Sequence, residues 1–338
     1  PSEHVEVGSL RYNYDIKNLE YYRGHTLGWS QFELINPDLG GGTGSNTGLG
    51  TRGIFGSGEA PHGDTIDFLT ISTFGDSTDF GNLTQDRRSG GAMGSSETRG
   101  LFAGGQHPSP FTFFNIIDFV TIASTGNATD FGDLENKAYN VSGMSTRTRG
   151  VAACGQKGPS FAAVNTIEFI TIASTGNAND FGDLSTVRVL VAGAASSTRG
   201  LFAGGHDTTN VIDFITISST GNAADFGDLS VARKGAAGCS NSTRAFFGGG
   251  ETPSNSNIID FVTIATLGNA ADFGDLTAAR NTTEATSSPT RGVFAGDGST
   301  ATLDKVEILT TGNGVDFGNL GRGASRTYGA FSNGHGGL

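Results

Sequence analysis

The sequence predicts an all-β chain whose main body is six units of four short strands each, and three observations predict it. Four sequence elements recur together along the chain, the best marked of them at intervals of 44 to 51 residues. The recurring elements are short, rich in β-branched and aromatic residues, and divided by Gly-bearing turns. The chain ends on one further strand-like segment, of a kind that every repeat but the first possesses.

Composition sets the frame. The 338 residues include 54 Gly and 24 Phe but one Trp. Gly without a G-X-Y period, beside so much Phe, Ile, Leu and Val, suits many strands joined by tight turns, because Gly reaches φ > 0 without steric cost. Lys and Arg number 21 against 33 Asp and Glu, a formal net charge of −12. No concentrated basic patch interrupts that acidity, so nucleic acid is not an expected partner. No apolar run approaches the length that a membrane span requires, so none is expected. No leader pattern opens the chain. Pro1 is what removal of an initiator Met leaves. The expectation is a complete protein made in a bacterial cytoplasm without a signal peptide. Cys154 and Cys239 fall at different places in different repeats. Both are therefore expected as small apolar residues and not as a disulfide.

The first repeated element is Thr-Arg-Gly, two or three apolar residues, then paired Gly, as in Thr98 to Gly105. It recurs from Thr51, Thr148, Thr198, Thr243 and Thr290, with Ala245 once replacing Gly. The second is Ile-acid-Phe-apolar-Thr-Ile, as in Ile212 to Ile217. The third is Asp-Phe-Gly-Asp/Asn-Leu, from Asp79, Asp130, Asp180, Asp225, Asp272 and Asp316. The fourth begins at an Arg and ends in small residues, as in Arg233 to Asn241. Four strands in so few residues is the size of a β-propeller blade, and no window sustains a helical apolar period.

Strands named A to D follow in the order Arg-led, Gly-Gly, Ile-acid-Phe and Asp-Phe-Gly. The first repeat opens at Thr51 with strand B. The tail Arg326 to Asn333 matches the strand A pattern of Arg233 to Asn241, down to its closing Ser-Asn. The tail therefore completes the first blade and removes the exposed edge of an open arrangement. Residues 51–338 are read as a six-bladed β-propeller closed by the C-terminal strand.

The strand order resembles the kelch family, in which an Arg-led strand precedes a Gly-Gly strand. An apolar run with an acid or polar residue follows, and then a short strand with an aromatic anchor. Kelch repeats usually carry Trp there; this chain has Phe80, Phe131, Phe181, Phe226, Phe273 and Phe317. The resemblance covers residues 51 to about 333.

Residues 1–35 differ in composition, holding Tyr12, Tyr14, Tyr21, Tyr22 and Trp29. Three polar-turned segments, Gly8–Asn13, Leu19–Tyr22 and Gly28–Phe32, predict a small three-strand meander. Residues 36–50, nearly all Gly, Ser, Thr and Asn beyond residue 39, predict a flexible linker. The meander is similar to a module of bacteriophage tail-fibre and other virion proteins, with Leu-Arg-Tyr-Asn, then Leu-Glu-aromatic, then Gly-x-x-Trp. Meander and propeller together resemble structural proteins of tailed phages of marine bacteria, including those of cyanobacteria. The resemblance implies a virion localisation, with Leu10, Tyr12, Tyr21, Tyr22 and Trp29 docking on other virion proteins. A meander this small needs a partner surface or self-association, so a homo-oligomer is a further expectation.

Catalytic constellations are not expected. A copper-oxidase centre wants Tyr and His ligands with a reactive Cys–Tyr pair, yet four of six Tyr precede residue 36. A sialidase-like site wants a convergent Arg triad, whereas Arg52, Arg99, Arg149, Arg199, Arg244 and Arg291 come once per repeat, a spacing that predicts structural pairing with the recurring Asp. Paired acids such as Asp130 and Asp133 could hold calcium. Their recurrence in every repeat, with Asn82 and Asn319 as replacements, reads better as turn capping. No cofactor or metal is expected.

Variation between repeats concentrates in the connections from strand B to strand C. The second repeat has the long Gln106 to Phe114, with His107, Phe111, Phe113 and Phe114. The third has Gln156 to Val164, with Phe161, and the fourth only His206 to Thr209. Alternating strands place these connections on one face, with His62, His206 and, just past the closing strand, His335. Aromatic and His side chains on a rigid rim suit a host-surface glycan or protein. The reading is a non-enzymatic tail-fibre or spike component, with capsid decoration or a head fibre as the alternative and a carbohydrate-active propeller enzyme as the alternative of another class.

Overall fold

The computed structural model describes residues 6–7, 9–13, 18–22, 29–31, 51–56, 58, 63–108, 111–153, 155–158, 160–206, 209–281, 284–297, 299–324, 326 and 328–338. Among them it is all-β, with antiparallel sheets and no helix long and apolar enough to cross a membrane. The chain divides into two compact units, Pro1–Asn36 and Pro37–Leu338. The predicted linker and Cys154 lie outside the described residues, apart from the division itself.

The first unit is a three-stranded antiparallel sheet of Leu10–Asn13, Asn18–Tyr22 and Trp29–Gln31 in chain order. Arg11 Nε donates to Glu20 Oε2 at 2.8 Å, and its guanidinium lies 4.2 Å from the Trp29 ring centre. Tyr22 is buried against Trp29, whereas Leu10 and Tyr12 are exposed.

Among the described residues, the second unit holds six main antiparallel sheets, each with strands running A-B-C-D, and two small sheets formed in the connections. The second sheet is Gly91–Ser95, Arg99–Ala103, Ile116–Thr121 and Thr129–Asp133. The third is Ser142–Ser145, Arg149–Ala153, Thr166–Thr171 and Asn179–Asp183. The fourth is Ala192–Ala195, Arg199–Ala203, Val211–Thr216 and Ala224–Asp228. The fifth is Ala237–Ser240, Arg244–Gly248, Ser254–Thr263 and Ala271–Arg280, with the short Glu251–Thr252 also paired to its long strand C. The sixth is Ala285–Ser287, Arg291–Phe294, Thr302–Glu307 and Val315–Asn319. The first sheet takes its strand A from the far end of the chain. Ala330–Ser332 pairs with Arg52–Gly56, with Phe331 opposite Ile54, followed by Thr65–Thr70 and Thr78–Asn82.

The core lies between sheets. Apolar residues of each sheet interdigitate with those of the next, as Leu101, Ile117 and Phe131 do with Ala152, Ile170 and Ile172. One such cluster joins Phe55, Leu69 and Ile71 of the first sheet to Val293, Leu303 and Phe317 of the sixth. Each Asp-Phe-Gly strand buries its Phe and leaves the preceding Asp outside.

Its Gly answers a specific demand. Gly132 has φ +148° and its Cα faces the Gly176 carbonyl of the next sheet so closely that a Cβ would stand 2.4 Å from the oxygen. That close approach lets Asn177 Oδ1 accept from Asp133 N at 3.1 Å. The same clamp joins Asn127 to Asn82, Asn222 to Asp183, Asn269 to Asp228 and Asn313 to Asp275, with Asp76 joined to Asn319. In these clamps the capping Asn or Asp comes from the turn of the neighbouring sheet, and Asp316 also caps locally, its Oδ1 accepting from Gly318 N at 3.1 Å.

The recurring Arg residues also behave differently from expectation. The Arg that opens each strand B reaches the carbonyl just past strand C in the next sheet, where ladder pairing has ended. Arg52 donates to Ile122 O at 2.9 Å, Arg149 to Ile217 O at 2.8 Å and Arg291 to Ile71 O at 3.2 Å. Each also lies over a Phe, as Arg149 does over Phe169 at 4.4 Å. That stacked geometry suits a planar guanidinium. The acids of strand C pair instead with the Arg preceding strand A. Arg87–Asp118, Arg188–Asp213, Arg233–Asp260, Arg280–Asp304 and Arg322–Asp67 are all buried ion pairs. Burial lowers the affinity of the Arg87, Arg188, Arg233 and Arg322 guanidinia for their protons, and the adjoining carboxylate opposes it. In the third sheet both partners differ, with Ala138 for Arg and Glu168 for Asp.

Candidate functional site

The connections from strand B to strand C leave the ends of the sheets opposite the A–B turns. In the second sheet this connection forms its own hairpin, with Phe111 opposite Pro108, Thr112 opposite His107 and Phe113 opposite Gln106. In the third it joins a small sheet, where Lys157 lies opposite Ala138 and Ala162. Both loops are therefore braced by backbone hydrogen bonds.

Between them sits an aromatic cluster. Phe113, buried, meets the Phe161 ring edge-on at 4.8 Å between centres. Tyr139 lies 6.1 Å from Phe113 and 6.0 Å from Phe161, again edge-on. Such pairs contribute about 0.5–1.5 kcal/mol each beyond area burial. A Cβ on Gly158 would stand 2.5 Å from the Phe113 ring, so this turn admits no larger residue without moving the ring. Phe161 is 45% exposed and held at φ +53°. Bulky residues avoid that region, and the conformation carries strain. Phe111 is 67% exposed, with the Arg88 guanidinium 5.9 Å from its centre.

Of the residues predicted from sequence, Phe113 and Phe161 come together, and Phe111 lies two residues before Phe113 on the same strand. Phe114 is half-buried and belongs to the frame, its N donating to Gly105 O at 2.9 Å. His107 lies opposite Thr112 in the hairpin, 3.9 Å from Asp86. His206 is exposed on the connection of the fourth sheet, and His62 lies outside the described residues. Tyr139, Arg88 and Lys157 were not singled out by sequence. Tyr139 stands in the connection before strand A, outside the B–C connections where variation between repeats concentrates. The available signal was that only two Tyr follow residue 50.

His335 corrects the sequence reading. Expected among the B–C connections, it lies at the opposite ends of the strands, because strand A of the first sheet, Ala330–Ser332, runs toward the A–B turns and the tail continues from there. Its Nε2 is 3.1 Å from both Ser95 O and Ser145 Oγ, and its Nδ1 accepts from Gly337 N at 3.1 Å. Burial holds the imidazole down to about 4, against the favourable bond to Ser95. The serines around it link strand A to strand A. Ser145 Oγ donates to Ser95 O, Ser240 to Ala195 O, Ser287 to Ser240 O, Ser332 to Ser287 O and Ser95 to Ser332 O. Ala195 stands where the sixth hydroxyl would be, and there Gly336 and Gly337 pack against the Ala195 and Ser145 carbonyls. Cys239 and His335 border one small cavity at the centre of these strands. Burial pushes the Cys239 thiol up to about 12. A thiol that does not ionise is a poor nucleophile. No protein-family model matches the chain, and no curated protein matches it either.

Proposed function

We propose that the chain is a non-enzymatic structural protein of a tailed-phage particle, whose main unit is a closed six-bladed β-propeller that recognises the host surface through its B–C connections. Closure is supported by the contacts between the sixth and first sheets, which repeat the kinds found between the other neighbours: Arg to carbonyl, Asn or Asp to strand D, a shared apolar cluster, and the serine-to-carbonyl bond that every pair but the third and fourth sheets makes. The observation that carries recognition is the aromatic cluster, which exposes Phe111 and Phe161 on a braced rim. An exposed aromatic surface on a rigid support gains contact area at small entropic cost. A structural role for the other polar residues is favoured because the repeat's Arg and Asp side chains are spent on buried ion pairs and clamps between sheets. The virion assignment rests on the resemblance of residues 1–35 and of the linked pair to phage structural proteins, with Leu10 and Tyr12 offering exposed docking side chains on the three-stranded sheet of the first unit.

Two measurements test the reading. Electron microscopy of particles labelled on this chain should find it at the tail, and a head location would replace the tail-fibre role by decoration. Particles carrying Phe111→Ser with Phe161→Gly should adsorb poorly to host cells, and normal adsorption would remove this rim from recognition.

A further inference from the structure

We infer that the Phe111–Phe161 rim binds an anionic polysaccharide, the acidic groups lying on Arg88, Lys137 and Lys157 and the sugar rings on the exposed Phe faces. The inference deepens the proposed recognition site and rests on that reading for its biological setting.

The argument begins with charge. The chain carries a formal net charge of −12, yet three basic side chains, Arg88, Lys137 and Lys157, gather around this rim. Arg88 lies against Phe111, Lys157 is paired in register with Ala162 beside Phe161, and Lys137 precedes the strand residue Ala138 opposite Lys157. Lys137 is exposed, and Arg88 and Lys157 are half-buried. Long basic side chains of this kind lay their stems on apolar surface and leave the charged ends at its border. Asp86, Glu135 and the buried Glu168 are the acids of this corner; Asp86 faces His107, and Glu168 accepts from the Glu135 backbone N–H. The connection of the fifth sheet, by contrast, sets Lys234 3.6 Å from Glu251. A polyanion would thus meet repulsion over most of the molecule and attraction at this rim.

The aromatic surface then selects among polyanions. Phe111 and Phe161 flank the buried Phe113, and Phe161 keeps an unfavourable backbone conformation that packing of its ring on Phe113 and Tyr139 maintains. Two flat apolar faces beside cations fit a chain of sugar rings with charged substituents. A polyphosphate would use the cations and leave the rings uncovered.

Binding of the purified full chain to three probes tests this: dextran sulfate, dextran with the same backbone uncharged, and inorganic polyphosphate. Dextran sulfate should bind at least tenfold more tightly than either of the others and weaken as salt is raised. Phe111→Ser and the double variant Arg88→Gln with Lys157→Gln should each reduce that binding several-fold, with melting temperatures confirming that both are folded. Equal binding of dextran and dextran sulfate would overturn the ionic half, and equal binding of polyphosphate the sugar half. Unchanged binding in both variants would overturn the site. A protein that fails these tests yet loses host adsorption on Phe111→Ser keeps its recognition role and takes a different ligand.

Discussion

The two ends of the strands obey different rules. At the A–B end every sheet is tied to its neighbour by the same bonds, Arg to carbonyl and serine to carbonyl, and the one missing serine, at Ala195, is filled by the C-terminal glycines. At the B–C end each connection has its own length and bonding, from the hairpin of the second sheet to the short turn at His206. The first end is built by repetition and tolerates little change. The second is free to vary because the strands beneath it are already held, which is where a binding surface can diverge without loss of the fold.

The sharpest way to break this contrast is to remove the strand that joins the chain's two extremes. Deleting residues 322–338 takes away Arg322, strand A of the first sheet and the His335 segment together. The expected result is loss of the cooperative thermal transition followed by circular dichroism; an unchanged transition would show that the sheets stand without this strand.

Next in size is a buried pair. Asp213 and Arg188 meet out of contact with solvent. Asp213→Ala leaves that guanidinium buried without its carboxylate and should cost about 3–5 kcal/mol in denaturant unfolding. Replacing both, as Arg188→Met with Asp213→Leu, should recover most of that loss, because no uncompensated charge remains. A double variant as unstable as the single would mean that the Arg188 hydrogen bonds to Gly204 O and Val211 O matter more than its charge.

The pH dependence separates two buried groups. Burial holds His335 at about 4, below its unfolded value. Its neutral form therefore stabilises the fold fully above the ordinary imidazole range. That contribution is lost as pH falls through the folded value, when a proton on Nδ1 would oppose the Gly337 N–H. Glu284 is raised to about 8 by burial. Its contribution is present below the unfolded carboxylate range and lost as pH rises through the folded value. His335→Asn should flatten the acid limb and Glu284→Gln the alkaline limb of melting temperature against pH. Either limb surviving its substitution would assign it to other groups.

The smallest effect on stability belongs to the variable end. Phe111→Ser removes a ring that is largely exposed. The change in unfolding free energy should be about 0.5 kcal/mol or less, the range of surface substitutions. A larger loss would make the ring part of the frame.

Much of the frame was readable in advance. Six Asp-Phe-Gly elements announced six sheets, and the Ser-Asn ending of the tail announced its pairing with Arg52–Gly56. The bonding roles were not. Repetition shows that an Arg is needed in each repeat but not whether its partner lies in the same sheet, and the partners here, Ile122 O or Ile217 O, are backbone atoms that any residue supplies. Tyr139 was missed for a related reason, since a contact between consecutive sheets leaves no pattern within either one.

What the sequence by itself determined is the strand content, the number of repeats and the return of the last strand, because alternation, turn Gly and repeat length act locally and are written once per unit. Only the tertiary structure decided which Arg meets which Asp, where His335 comes to rest and which Phe remain exposed. The Arg–Asp pairs close between strand C and the segment before strand A of one sheet, whereas the other two outcomes depend on how neighbouring sheets pack, which no single repeat sets.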